Sequence, residues 1–272
     1  MLGNIIKGAV KDRLRSAKPQ KLDTRPKAAL IFGVGASPGI GAAVAQRIAD
    51  ENLPVYIAGR NKEKLDATAQ SIRDAGGQVT SIVVDAGQQD QVLTAFEKID
   101  QDGYAIGLVI HNIGTNRPAK LMDIDPEKFE KSWRADCLSG FFVGQEAVRR
   151  MQDNAEDEHG ARGTIIFTGA SASLRGNAGF ANFACNKAGL RSIAQAMARE
   201  FGPKSIHVAH VIVDGVVDGD RIRSFMPQWL EAKGENGSIN PADVAEAYWN
   251  IHQQHRTTWT HELDLRPFKE NF

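Results

Sequence analysis

The sequence predicts an α/β fold with a single, doubly wound parallel sheet of about seven strands, and two observations support this. From residue 28 onward, short apolar runs alternate with longer segments whose apolar residues recur at helical spacing. No internal repeat or low-complexity tract interrupts the alternation. This pattern is typical of parallel strands joined by helices that cover the sheet. At 272 residues and 42% hydrophobic composition, the chain is long enough for one large core.

Seven apolar runs are the predicted strands, with helices in the intervals between them. They cover residues 28–32, 55–58, 79–84, 108–111, 164–168, 207–213 and 261–265. Three of the helices have clear start signals, because Asn61, Asp125 and Asn240 have the side chains that cap helix N-termini. The last two precede Pro126 and Pro241, a residue favoured at the first helical position. The polar stretch 153–162 is predicted to be a solvated loop.

The composition excludes several classes of protein. Lys plus Arg and Asp plus Glu each number 33, so the chain lacks the basic excess of a nucleic-acid-binding domain. Two cysteines, Cys137 and Cys185, are too few for a disulfide framework and match no metal-binding spacing. No apolar run reaches the length of a membrane span, and no secretory signal is visible. We therefore expect a cytoplasmic protein.

Residues 1–27 are predicted to form a basic amphipathic arm. They carry eight basic and two acidic side chains, whereas the rest of the chain has a compensating negative charge. Apolar residues recur at helical spacing in this arm: Leu2, Ile5, Ile6, Ala9, Val10 and Leu14. We favour docking of the arm on its own domain or on a dimer mate. Contact with a membrane surface is the alternative.

A glycine pattern after the first predicted strand points to nucleotide binding. Gly35, Gly39 and Gly41 are spaced G-x-x-x-G-x-G, with Ser37 and Ile40 between them, and a helical pattern follows at once. Backbone without side chains can approach a pyrophosphate closely, and a helix N-terminus offers it unpaired N–H groups. A simple tight turn between strand and helix is the alternative.

The residues after the second and third strands indicate which nucleotide binds. A site for NAD has an acidic residue about 20 residues after the glycines, to accept hydrogen bonds from the ribose. Here Gly59 and Arg60 end the second strand instead. A guanidinium suits a 2′-phosphate, which favours NADP(H) over NAD(H), although Arg60 could also merely end the strand. Asp85 and Ala86 end the third strand and are candidates for the adenine edge.

Over nearly its whole length from about residue 28, the chain resembles the short-chain dehydrogenase/reductase family, which implies a Rossmann-type fold; the C-terminal stretch WTHELDLRPF departs from the family's Gly-rich ending. The three glycines match the cofactor glycines of the family, and the segment from His111 to Gly114 matches its Asn-Asn-Ala-Gly motif, with Asn112 and Gly114 retained. The stretch LRGNAGFANFACNKAGL is similar to the segment with the Tyr-x-x-x-Lys pair, and Lys187 is at the Lys position. The resemblance implies that Lys187 binds the nicotinamide ribose.

The same resemblance exposes three departures in the catalytic residues. Phe183 stands at the position of the Tyr that exchanges a proton with the substrate oxygen. Ala170 replaces the Ser, and Cys137 replaces the Asn. Of the four catalytic positions, only Lys187 is retained. Removing a proton donor and an oxyanion donor each costs orders of magnitude in rate.

Other side chains are candidates for the missing proton donor. Ser171 and Ser173 follow Ala170 directly, and the remaining candidates are Cys137 and Asp214. Each also has a structural interpretation, as a turn hydroxyl, a buried thiol or a loop carboxylate. Gly215 lies near the point where the family wraps its backbone around the nicotinamide.

The remaining features concern metals, the substrate and assembly. His207 and His210 differ by three and would face opposite sides of a strand, and His252 with His255 is interpreted as a solvated pair on one helix, so we predict no metal site. A helical lid is predicted around residues 220–240 of the oxidoreductase domain 28–272, over an unidentified small-molecule substrate. The resemblance implies a homodimer or homotetramer formed by two long helices, at about 126–152 and 180–201.

Two functional hypotheses follow from an intact cofactor half beside an altered catalytic half. The first is an NADP(H)-dependent oxidoreductase, acting on a carbonyl or alcohol, with a non-standard proton-transfer site. The second is a pseudoenzyme that binds the dinucleotide as a sensor or scaffold and transfers no hydride.

Overall fold

The computed structural model describes residues 22–114 and 116–271 and has one parallel sheet of seven strands. The strands are β1 (Lys27–Phe32), β2 (Val55–Gly59), β3 (Val79–Val83), β4 (Ala105–His111), β5 (Gly163–Ala170), β6 (Ile206–Val213) and β7 (Glu262–Leu265). Their order is β3-β2-β1-β4-β5-β6-β7, and every neighbouring pair is parallel. The predicted doubly wound α/β fold and all seven strands are confirmed.

Helices cover both faces of the sheet. They are α1 (Ile40–Ala49), α2 (Lys62–Asp74), α3 (Gln89–Gln101), α4 (Pro126–Trp133), α5 (Ser139–Met151), α6 (Ala181–Phe201), α7 (Asp220–Phe225), α8 (Pro227–Lys233) and α9 (Pro241–His252). One buried apolar cluster lies between the sheet and α1, α2 and α9, and the other between the sheet and α3, α5 and α6. Strands buried on both faces explain why the sequence shows them as continuous apolar runs.

The predicted helix starts are confirmed by hydrogen bonds. The side chain of Asn61 accepts from the backbone N–H of Lys64, and Asn240 accepts from that of Ala242. Asp125 accepts from the first-turn amides of α4. The predicted helix 126–152 contains a π-helical turn, Arg134–Leu138, which separates α4 from α5 and holds the family's Asn position.

Two sequence predictions need correction. Strand β4 begins at Ala105 rather than at residue 108, because its register with β1 shifts between Ala28 and Ala29 and leaves Gly107 as an extra residue. A glycine in a strand often marks such a bulge. His252 and His255 are not a solvated pair on one helix. Helix α9 ends at His252, whose Nδ1 is 3.0 Å from the hydroxyl oxygen of Thr164, and His255 lies in the following turn.

Two further predicted segments are the N-terminal arm and the lid. Most of the arm, residues 1–21, lies outside the described residues; of its last residues, Arg25 pairs with Asp100 on the domain. The segment predicted as a lid forms the short helices α7 and α8. Its start is fixed by hydrogen bonds from Asp220 N–H to the Pro38 carbonyl and from Arg221 to the Asn116 carbonyl. Among the described helices, none is both long and apolar enough to cross a bilayer.

Candidate active site

A cleft of about 300 Å³ opens at the carboxyl ends of the central strands. Its lining comes from the carboxyl ends of β1 to β4 and from Ala135 of the π turn. The lining segments at the strand ends are Phe32 to Gly35 at β1, Ala58 to Asn61 at β2, Val84 to Ala86 at β3 and Asn112 to Gly114 at β4. The strand order reverses between β1 and β4, and this is the point where open α/β sheets bind their ligands. Six of the twelve sequence-predicted cofactor residues line this cleft: Gly35, Arg60, Asp85, Ala86, Asn112 and Gly114.

The glycine turn joins β1 to α1 in close contact. A Cβ atom on Gly41 would lie 2.9 Å from the Gly33 carbonyl oxygen, so helix and strand approach only because no side chain intervenes. A Cβ on Gly35 would meet nothing within 4 Å and would project into open space. Gly39 is the N-cap of α1 and supplies no side-chain cap. The Thr68 hydroxyl donates to the Gly35 carbonyl at 2.9 Å and fixes the turn from α2.

Arg60, Asp85 and Ala86, the predicted nucleotide residues after β2 and β3, all line the cleft. Arg60 is exposed at the mouth of the cleft, at the end of β2. Asp85 also lines the cleft. Its Oδ1 accepts a hydrogen bond from the Gly87 N–H at 3.0 Å, so this carboxylate oxygen stabilises the turn 85–87. Ala86 is buried in the cleft wall.

The segment that follows β4 contacts the end of β1 and the helix α6. The Asn112 side-chain amide donates to the Gly33 carbonyl at 3.2 Å, which fixes the floor of the cleft against β1. Gly114 lies beside Lys187, because a Cβ on Gly114 would be 3.0 Å from the ammonium nitrogen.

Lys187 is buried, and its side chain forms hydrogen bonds with the backbone of two neighbouring strand segments. Its ammonium donates to the Ile113 carbonyl at 2.8 Å and to the Thr168 carbonyl at 2.7 Å. Burial lowers the Lys187 pKa to about 8, although the nearby Asp136 charge opposes this shift. The side chain thus bridges β5 and the segment after β4.

Phe183 and Ala170, the residues that the resemblance aligns with the family's Tyr and Ser, have no hydroxyl. Phe183 lies one helical turn before Lys187, whose ammonium is 5.9 Å from the ring centroid. Ala170 is the last residue of β5, and its backbone N–H donates to Ser173 Oγ at 3.2 Å. Ser171 follows it at the start of a 3-10 turn, half buried.

Two of the alternative donors are committed to structural roles. Cys137 is buried in the π turn against Gly189, where a Cβ atom would come within 2.7 Å of the sulfur, and burial raises its thiol pKa to about 11. Asp214 is buried and forms ion pairs with Arg175 at 3.4 Å and Arg266 at 3.7 Å. Gly215 packs against Pro267 and does not belong to the cleft lining.

Sequence reasoning missed a buried polar chain behind Ala170. Ser173 Oγ is 3.4 Å from His210 Nε2, and His210 Nδ1 is 3.0 Å from a Glu262 carboxylate oxygen. The sequence analysis considered His210 only as a metal ligand. One signal was present: His210 interrupts the apolar strand β6, and buried ionisable groups are rare unless they are paired.

The chain belongs to the short-chain dehydrogenase family, whose model matches residues 27–228. It is 28% identical over 80% of its length to carbonyl reductase family member 4 of Danio rerio, of which it covers 88%. It is 30% identical over 79% of its length to the 3-oxoacyl-(acyl-carrier-protein) reductase MabA of Mycobacterium tuberculosis, covering 81% of that protein. A crystal structure of a short-chain dehydrogenase from Rhodopseudomonas palustris is similar with a TM-score of 0.72 and 37% identity, with 89% of this chain and all of that chain covered.

Proposed function

We propose that this protein is an NADP(H)-dependent oxidoreductase acting on a carbonyl or alcohol, with a non-standard site for proton transfer. The observation that carries the proposal is the cleft at the switch point, with the glycine turn at one side and Ile113 and Gly114 at the other, where the buried Lys187 contacts both. The two curated relatives named above are both reductases by name, which supports the reaction class.

The residues of the cleft fit a dinucleotide along its whole length. The open space over Gly35 and the start of α1 would take the pyrophosphate, since backbone N–H groups at a helix start favour anions. Arg60 would hold the 2′-phosphate, and Asp85 with Ala86 would face the adenine. Lys187, with Gly114 beside it, would face the nicotinamide ribose, and Asn112 would line the cleft between this ribose and the glycine turn. When bound, the coenzyme supplies or accepts the hydride.

The catalytic half sets limits on the substrate. Without the Tyr and Ser hydroxyls, a developing alkoxide lacks its usual proton donor and hydrogen-bond donor, which together lower rates by several orders of magnitude. A substrate that needs little acid catalysis, or a different proton-transfer group, would restore the reaction.

Isotope transfer tests the proposed activity. The protein is incubated with NADPH deuterated at nicotinamide C4, in both stereochemical forms, and with a panel containing an aromatic aldehyde, a 1,2-diketone and a 3-oxoacyl thioester. We expect deuterium in the product alcohol, detected by mass spectrometry. The 3-oxoacyl thioester is included because MabA is named for that substrate class.

The second candidate is a dinucleotide-binding pseudoenzyme that acts as a sensor or scaffold. The apolar ring of Phe183 beside Lys187 favours it, since this ring cannot exchange a proton with any substrate. Tight NADPH binding, measured by calorimetry, together with no deuterium transfer across the panel would support this candidate and exclude the first. No binding of either pyridine nucleotide would exclude both.

The preference for NADP is tested at Arg60. In Arg60→Ala the ratio of the dissociation constants for NADP and NAD should move toward NAD by at least about 10-fold, since charge-assisted contacts to phosphate contribute about 1.5 to 3 kcal/mol each. Lys62→Ala is the matched control, because Lys62 is an exposed cation of the same helix start that pairs with Asp66. An unchanged ratio in Arg60→Ala would exclude Arg60 as the phosphate ligand.

We also propose a cytoplasmic homodimer or homotetramer formed through α4, α5 and α6. Trp133 and Phe141 of this surface are large apolar side chains that are 36% and 43% exposed, which suits burial against another copy. Light scattering coupled to gel filtration should give a mass of two or four chains, and a monomer would contradict this assembly.

A further inference from the structure

An exposed arginine, Arg134, lies beside the end of the cleft that the turn 85–87 forms. A Cβ atom on Gly87 would lie 3.5 Å from Cγ of Arg134 and 3.8 Å from Cα of Ala135. The same Cβ would lie 3.2 Å from Oδ1 of Asp85, and both Asp85 and Ala135 line the cleft. Because Gly87 has no side chain, the stem of Arg134 can lie directly against this turn.

The backbone of Arg134 is fixed, whereas its guanidinium is unpaired. Arg134 begins the π turn, and its backbone N–H donates to the carbonyls of Glu130 and Lys131. Its side chain has no hydrogen bond or ion pair with any other residue of the segments 22–114 and 116–271. The guanidinium can therefore reach over the end of the cleft without breaking a contact. Single π turns are frequent at functional sites.

Arg60 and Arg134 come to the cleft from opposite faces of the sheet. Arg60 follows β2 and precedes α2, which covers one face together with α1 and α9. The π turn that begins at Arg134 leads into α5, which covers the other face together with α3 and α6. The lining also includes Ala86 and Ala135, whose small side chains leave room for a flat ring.

We infer that Arg134 covers the adenine ring of the bound coenzyme with its guanidinium and so determines how tightly the adenosine half binds. The inference rests on the proposed function, which assigns the adenine to Asp85 and Ala86. A guanidinium is planar and stacks on aromatic faces, where the negative face of the ring attracts the cation. Arg134 is a binding residue and takes no part in hydride or proton transfer.

The geometry favours contact with the ring over contact with the 2′-phosphate. The stem of Arg134 lies against the turn 85–87, and this turn includes both residues assigned to the adenine. Arg60, the residue assigned to the 2′-phosphate, lies after β2 instead. The carboxylate of Asp85 also lies beside the same Gly87 position, and it attracts the guanidinium toward this end of the cleft.

The first test measures coenzyme binding by calorimetry in the full chain. Arg134→Ala should raise the dissociation constants for NADPH and NADH by the same factor, about 3- to 30-fold, because both coenzymes carry the adenine. Lys131→Ala is the matched control. It removes an exposed cation from the last turn of the same helix, α4, and should leave both dissociation constants within twofold. Both variants should keep the native urea midpoint, since both side chains are exposed.

The second test detects the contact itself by nuclear magnetic resonance. Protein deuterated except in its arginines is mixed with excess adenosine 2′,5′-bisphosphate, which carries the adenine and the 2′-phosphate. Saturation of the arginine Hδ protons should reduce the adenine H2 and H8 signals. The reduction should fall by more than half in Arg134→Ala and persist in Lys131→Ala, because only Arg134 is inferred to cover the ring.

The outcomes separate this inference from the proposed function. If the native protein binds neither NADPH nor NADH, both are wrong. If NADPH binds equally well to the native protein and to Arg134→Ala, the inference is wrong and the proposed function stands. A loss confined to NADPH would show that Arg134 contacts the 2′-phosphate, and an equal loss in Lys131→Ala would show a general effect of charge. Either result would overturn the contact with the adenine.

Discussion

Restoring the family's missing phenol is the most direct perturbation of the candidate site. Phe183→Tyr adds one hydroxyl to a ring that already lies on the helix turn before Lys187. With the ring centroid 5.9 Å from the Lys187 ammonium, a phenolate at that distance gains about 3 kcal/mol at an effective dielectric constant of about 20. This energy lowers the phenol pKa by about 2 units, from about 10 to about 8.

A phenol with this pKa is a suitable proton donor at neutral pH. Positioned general acids contribute about 10² to 10⁴ in rate, so Phe183→Tyr should increase carbonyl reduction by NADPH at least 100-fold at pH 7. Deuterium transfer to the carbonyl panel measures the rate, and ultraviolet difference titration measures the pKa of the introduced phenol. Phe201→Tyr is the matched control, because Phe201 ends the same helix and also lies under a lysine, with Lys204 Nζ 4.7 Å from its ring centroid.

Two results would refute this reasoning. A phenol that titrates near pH 10 would show that Lys187 does not act on it electrostatically. A phenol that titrates near pH 8 without any gain in reduction would show that the missing hydroxyl does not limit the reaction, provided that NADPH still binds.

Three further predictions concern stability and binding. Burial lowers the pKa of three histidines to about 3 or 4, below the unfolded value of 6.5, so the native state binds fewer protons than the unfolded state. The free energy of unfolding, measured by urea titration, should therefore fall as the pH is lowered from about 6.5 to about 4. Each of His111, His210 and His252 should contribute up to ~1.4 kcal/mol per pH unit, and a constant free energy of unfolding would contradict this. Gly140→Ala should lower the free energy of unfolding by about 1 to 3 kcal/mol, because its Cβ would lie 2.2 Å from the buried Leu190 side chain. Gly202→Ala, with nothing within 4 Å of the added Cβ, should change that free energy by less than ~0.5 kcal/mol. Lys187→Met should weaken NADPH binding at least about 10-fold by calorimetry while shifting the urea midpoint less than Gly140→Ala, since the lost hydrogen bonds are offset by removal of a buried charge; undiminished binding would exclude Lys187 as a cofactor ligand.

The local features of the fold were readable from the sequence because each depends on residues close together in the chain. The alternation of apolar runs located all seven strands, and the caps at Asn61, Asp125 and Asn240 located helix starts. The bulge at Gly107 was not readable, because it depends on how β4 pairs with β1.

The candidate site divides in the same way. The glycine turn, Arg60, Lys187, Phe183 and Ala170 are local or positional features, so the sequence by itself was enough to select them as candidate site residues. The chain from Ser173 through His210 to Glu262 joins residues 37 and 52 positions apart, and only the strand order β5-β6-β7 brings them into contact. Burial is likewise a property of the packed molecule, which is why only the tertiary structure could show that Cys137 and Asp214 are buried and that Asp214 forms ion pairs.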